Sequence, residues 1–88
     1  MRTIEVQGDT IHVDDSKRGT WRAFELYSVI SDPDATPFAQ LKAMMQIIEY
    51  CTDTTERAIV DKFGGDDADL KTVMEYVAEV VQGISSKN

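Results

Sequence analysis

The 88-residue chain contains a single cysteine, so no internal disulfide can form, and a reducing cytoplasm suits it best. It has only two prolines, and no low-complexity tract, internal repeat or linker divides it. At this length one domain over residues 1–88 is expected, and a domain of this size buries only about 60–65 % of its unfolded surface. No apolar run approaches transmembrane length, and the opening MRTIEVQGD lacks the apolar core of a signal peptide. Basic residues are scarce. Nine Lys and Arg face sixteen Asp and Glu, giving a net charge of -7. That balance opposes binding to nucleic-acid phosphates and to anionic membranes. There is one histidine, and no second catalytic group stands at a recognisable spacing from it, so neither enzymatic activity nor a cofactor is expected.

What is present is hydrophobic periodicity. The stretch TPFAQLKAMMQIIEYC, residues 36–51, is the most apolar part of the chain. On a helix, Phe38, Leu41, Met44, Met45, Ile47, Ile48 and Cys51 cover about half the circumference at the 3.6-residue period, leaving a narrow polar strip of Lys42, Gln46 and Glu49. Such a helix needs covering on several sides and is expected at the centre of the core. Thr36 is its N-cap and Pro37 its first residue.

The rest is arranged around that helix. Ile4, Val6, Ile11 and Val13 alternate with polar residues on either side of Gly8-Asp9, which predicts a β-hairpin over 3–14. A Gly8-Asp9 turn sets Val6 opposite Ile11, Ile4 opposite Val13, and Glu5 opposite His12. An isolated hairpin is barely stable, so its apolar face must cover the helices or meet another copy. Asp14-Asp15-Ser16 offers caps for a first helix over about 17–31, with Ala23, Leu26, Tyr27 and Ile30 inward. Asp53 and Glu56 have capping-box spacing for a short third helix ending at Phe63, before Gly64-Gly65. Asp66 is the expected cap of a fourth helix with the stripe Leu70, Val73, Met74, Val77, Val80, Val81 and Ile84. Residues 85–88 are expected to fray. The fold class is mostly α: about four helices spanning 16–84 with an N-terminal hairpin.

Candidate chemistry is thin. His12 beside Glu5 reads as a solvated cross-strand pair. Cys51 reads as a small core hydrophobe. Asp14-Asp15, Asp32/Asp34 and Asp66-Asp67-Asp69 have caps and turns to account for them, and no EF-hand loop contains them, so no metal is expected. Met44, Met45 and Met74 are core residues or the lining of an adaptable groove. Trp21 projects away from the first helix's inward stripe, with Phe24 at its border. An off-stripe Trp either lies under the hairpin or anchors an interface. The interface candidates are therefore Trp21 and Phe24 with Arg18, Arg22 and Glu25 as a polar rim, and Val6 and Ile11 if the hairpin pairs with another copy.

The order hairpin, aromatic-led helix, apolar helix, short helix, Gly-Gly and acid-capped terminal helix resembles the small tail assembly chaperones of long-tailed bacteriophages and prophages. Thr3–Val13, Trp21–Ile30 and TERAIVDKFGGDDADLKTVMEYVAEVV carry the likeness. The resemblance implies a non-enzymatic protein of virion assembly. It would bind the tape-measure protein in the bacterial host cytoplasm, form homo-oligomers, and be absent from the finished virion. The acidity also fits a small regulator or inhibitor that mimics nucleic acid and binds a basic host protein.

Overall fold

Local chemistry fixes the start of every helix. In the computed structural model, which describes residues 1–86, the chain forms a hairpin of β1 (Arg2–Val6) and β2 (Asp9–Val13), followed by α1 (Trp21–Ile30), α2 (Pro37–Cys51), α3 (Glu56–Lys62) and α4 (Leu70–Ser85). Short 3-10 turns occupy Asp15–Lys17 and Gly65–Asp67. The caps of the four helices are Thr20, Thr36, Thr55 and Asp69, each accepting the backbone N–H three residues on. Only Thr36 agrees with the sequence expectation. Gly19-Thr20 interrupts the anticipated first helix, so that α1 starts at Trp21. Asp53 is no capping-box residue. Its carboxylate accepts from the His12 N–H at 3.1 Å, holding β2 against the exit of α2. Asp66 precedes a 3-10 turn and pairs with Arg57 at 3.1 Å instead of capping α4. Ser85 closes α4 and Ser86 is its C-cap, so the expected fraying does not begin at residue 85. The remainder of that expectation, 87–88, lies outside the described residues.

The hairpin turn is Gln7-Gly8, not Gly8-Asp9. Both residues have positive φ, 50° and 88°, as a two-residue type I′ turn requires. Ile4 therefore faces Ile11, Glu5 faces Thr10, Val6 faces Asp9, and His12 faces Thr3. The expected Glu5–His12 pair does not form. A two-residue slip leaves side-chain parity intact, so Ile4, Val6, Ile11 and Val13 still share one face.

That face packs on the helices. Val6, Ile11 and Val13 are buried, and α4 lies across β1. Gly83 allows the close approach: a Cβ there would sit 2.7 Å from Ile4 Cδ1. Arg2 ties the strand down. Its guanidinium holds Asp15 and donates to the Gly83 and Ile84 carbonyls at 3.0 and 2.9 Å, satisfying acceptors that the end of a helix leaves open. The core is one cluster centred on α2, whose Ile47 and Ile48 are fully buried, and α1, α3 and α4 all touch this helix. Tyr76, which the sequence stripe omits, is buried, whereas Leu70 and Met74 within that stripe are exposed. Phe38, expected on the apolar arc of α2, stands 70 % exposed in its first turn.

Candidate interaction surface

With the core closed, the sequence candidates separate. Val6 and Ile11 leave the interface set, because the apolar side of the hairpin is already used within the chain. Trp21 and Phe24 are 73 % and 59 % exposed. The hairpin packs on α4 and does not fold over Trp21, so that alternative for the indole is not the one adopted. Thr20 caps α1 and places Trp21 in its first turn, with Phe24 one turn on. Their ring centroids are 5.1 Å apart with a 38° tilt. This is attractive aromatic geometry, but it leaves most of both rings in water.

The proposed rim is present around the pair, though much of its charge is already engaged. Arg22 lies 4.0 Å from Glu25, both half exposed, and reaches Gln46 on α2. Arg18 is more committed. It contacts Asp15 at 3.3 Å and donates to the Ser85 carbonyl at 3.0 Å, fixing the α1 entry beside the end of α4. Lys17 lies 5.0 Å over the Tyr50 ring, whose hydroxyl donates to Thr20 Oγ1 at 2.9 Å. The aromatic pair therefore rests on a well-anchored platform and is not part of a loose segment.

The remaining candidates fall into structural roles. His12 is solvent-exposed on the outer face of β2. Cys51 is buried, and burial pushes its thiol above the ordinary value, away from the reactive thiolate. Asp14 receives the Ser16 hydroxyl and N–H, which holds its carboxyl below the usual range. Asp32 closes a turn by accepting from the Asp34 N–H. Among the described residues, no three His, Cys, Asp or Glu side chains converge as metal ligands would. The Met44, Met45 and Met74 set is divided: Met45 is buried, Met44 half-buried and Met74 39 % exposed.

One polar cluster escapes sequence reading. The Asp9 carboxylate, at the hairpin turn, accepts from Lys62 Nζ at 2.6 Å and from the Tyr76 hydroxyl at 3.0 Å. Lys62 and the Tyr76 hydrogen bond hold Asp9 below the usual carboxylate range. Burial, reinforced by that carboxylate, pushes the Tyr76 phenol up to about 12. Sequence separations of 53 between Asp9 and Lys62 and 67 between Asp9 and Tyr76 leave no local signal for this contact.

The second surface feature is a groove of about 590 Å³ between α2, α3 and the start of α4. Leu41, Met45, Val60, Leu70 and Val73 form its apolar floor, and Leu70 is half exposed. Glu49, Glu56 and Asp66 line its edge together with Lys42 and Arg57. Lys42 pairs with Glu56 at 3.0 Å, and Arg57 bridges Asp61 and Asp66. The groove depends on Leu70 being outside the core, which the helical stripe does not reveal.

What fold and surface together define is a small, mostly helical domain with an N-terminal hairpin and an exposed aromatic pair on its first helix. No family model matches the chain, and neither a characterised protein nor a solved structure is detectably similar to it. Among the described residues, no helix is long and apolar enough to cross a membrane.

Proposed function

We propose that this protein is a non-enzymatic binding protein whose partner face centres on Trp21 and Phe24, and that it serves as a phage tail assembly chaperone for the tape-measure protein. The observation that carries the reading is the exposure of both rings on a closed fold. Their burial contributes little to this chain's own stability, whereas a Trp buried at an interface can contribute more than about 2 kcal/mol. Arg22 and Glu25 supply the polar rim that such a centre uses. An acidic surface around an apolar centre suits a chaperone that keeps a long, aggregation-prone helical partner dispersed. In this reading the protein acts in the bacterial cytoplasm, self-associates, and leaves before the virion is complete.

Co-expression with the tape-measure protein of the same genome tests the reading. The expected result is soluble tape-measure protein coated by several copies of the chain. Trp21→Ala should abolish co-purification while its melting temperature stays within a few degrees of wild type, because changes at exposed positions usually stay within about 0.5 kcal/mol. No complex with the wild-type chain overturns the assignment. The net charge of -7 favours a second reading, an acidic regulator that occupies a basic host protein. A complex of fixed small stoichiometry with one DNA-binding protein would support that reading instead.

A further inference from the structure

The exposed aromatic pair and the apolar groove lie at different places on the molecule, and their chemistries are complementary. The pair sits where α1 begins, beside the C-terminal end of α4, as the Arg18 contact to the Ser85 carbonyl shows. The groove includes Leu70 and Val73, in the first turns of α4. Fifteen residues of helix separate these ends, about 22 Å at 1.5 Å per residue. The rings of one chain therefore cannot fill that chain's own groove.

Charge distinguishes the two places further. Three of the nine basic residues, Lys17, Arg18 and Arg22, fall within the six residues around Trp21. The groove's edge carries Glu49, Glu56 and Asp66, and Asp67 and Asp69 follow directly in sequence. The two cations at that edge, Lys42 and Arg57, are already held by carboxylates. An aromatic knob with a basic surround thus matches an apolar hollow with an acidic surround.

We infer that the groove between α2, α3 and α4 receives Trp21 and Phe24 of a second copy of this chain, building a head-to-tail assembly. The inference rests on the reading of Trp21 and Phe24 as an interface and adds the surface that opposes them. Such contacts are heterologous. Each copy offers a knob at one place and a hollow at another, so addition continues until a ring closes or the chain of copies stays open. Two aromatic side chains bury about 150–250 Å² each. Together with the groove wall they reach the scale of a weak interface, below the standard size of about 1,600 Å². Assembly is therefore concentration-dependent.

Complementary defects test this. Trp21→Ala removes the knob and leaves the groove. Leu70→Lys, at a half-exposed position, places a cation in the groove and leaves the knob. Sedimentation of the wild-type chain should show an average mass rising beyond twice 9.9 kDa with concentration. Each variant alone should remain monomeric with an unchanged thermal melt. An equimolar mixture should form a dimer and stop there, because the Leu70→Lys copy still has its knob and the Trp21→Ala copy its groove. Fluorescence of the single tryptophan should shift to the blue on mixing, reporting its burial. A wild-type chain that stays monomeric, or variants that do not combine, overturns the inference. A wild-type dimer that Leu70→Lys leaves intact while Trp21→Ala breaks it also overturns the groove assignment, and leaves the aromatic interface standing. If Leu70→Lys melts early, Val60→Lys on the opposite wall replaces it with the same expected outcomes.

Discussion

Ile48 and Tyr76 show how differently single residues carry this fold. Ile48 is fully buried on α2, so Ile48→Ala removes burial and leaves a cavity in a helix that three others cover. The expected cost in denaturant melts is about 2–5 kcal/mol, a large share of the stability of a domain this small. Tyr76 combines a buried ring with a polar tip. Its hydroxyl donates to Asp9, and its ring meets Phe63 edge-on at 5.4 Å. The folded state favours the neutral phenol, whose pKa is pushed up to about 12 by burial and by Asp9. An unfolded tyrosine ionises near pH 10, so what Tyr76 contributes is complete below about pH 10 and is lost as pH rises through about 12. Tyr76→Phe should cost about 1.5–3 kcal/mol at neutral pH, where it breaks a hydrogen bond to a charged group. It should also shrink the fall in stability between pH 10 and 12, which alkaline melts of both proteins would measure.

At the scale of elements, the hairpin shows what patterning can convey. Apolar alternation at Ile4, Val6, Ile11 and Val13 is enough to assign the buried face, because a slip of two residues does not change parity. Register is another matter. It depends on which pair of residues takes positive φ, and Gln7 is a poor advertisement for such a turn. Capping fails in sequence for a related reason. Asp53 and Asp66 have suitable side chains at suitable spacings, yet long-range partners, the His12 N–H and Arg57, claim them. Trp21 is legible as an off-stripe residue from helical phase alone. The groove is not, since it depends on how α3 and α4 meet. Gly83 had only the appearance of a weak point in α4, but the structure gives it a packing role under Ile4. Gly83→Ala would gain roughly 1 kcal/mol of helix propensity. The added methyl would push against Ile4 Cδ1, the movable end of a side chain, so the two effects should nearly cancel. Gly83→Leu cannot be accommodated that way and should cost about 1–3 kcal/mol through overpacking between the hairpin and α4. Equal stability of the Leu variant and wild type in urea melts would show that the hairpin does not lie against the helix there.

Across the whole molecule, charge is used at the joints. The hairpin is fastened to the helical body at two distant points by carboxylates whose pKa values lie below the usual range. Asp9 meets Lys62 and Tyr76 on one side. Asp15 meets Arg2 and Arg18 on the other, and the Arg2 hydrogen bond is the main cause of its lowered value. The unfolded reference for each is about 3.9. A group lowered in the folded state stabilises fully above that reference and loses its effect as pH falls through the lower folded value. Both fastenings should therefore hold from neutral pH down to about 4 and release together below it. In the same range the chain passes from -7 toward its full complement of nine Lys and Arg charges plus His12, so self-repulsion grows as the joints open. Arg2 separates these two effects. Arg2→Met retains an aliphatic stem against the strand but removes both the Asp15 contact and the donors to Gly83 and Ile84. The variant should be less stable at pH 7 by about 1–3 kcal/mol, since buried carbonyls lose their partners. Its acid transition should also be shallower, because Asp15 then titrates closer to its unfolded value. If acid melts of the two proteins run parallel from pH 6 to 2, Asp15 is not a source of the acid sensitivity and self-repulsion alone drives it.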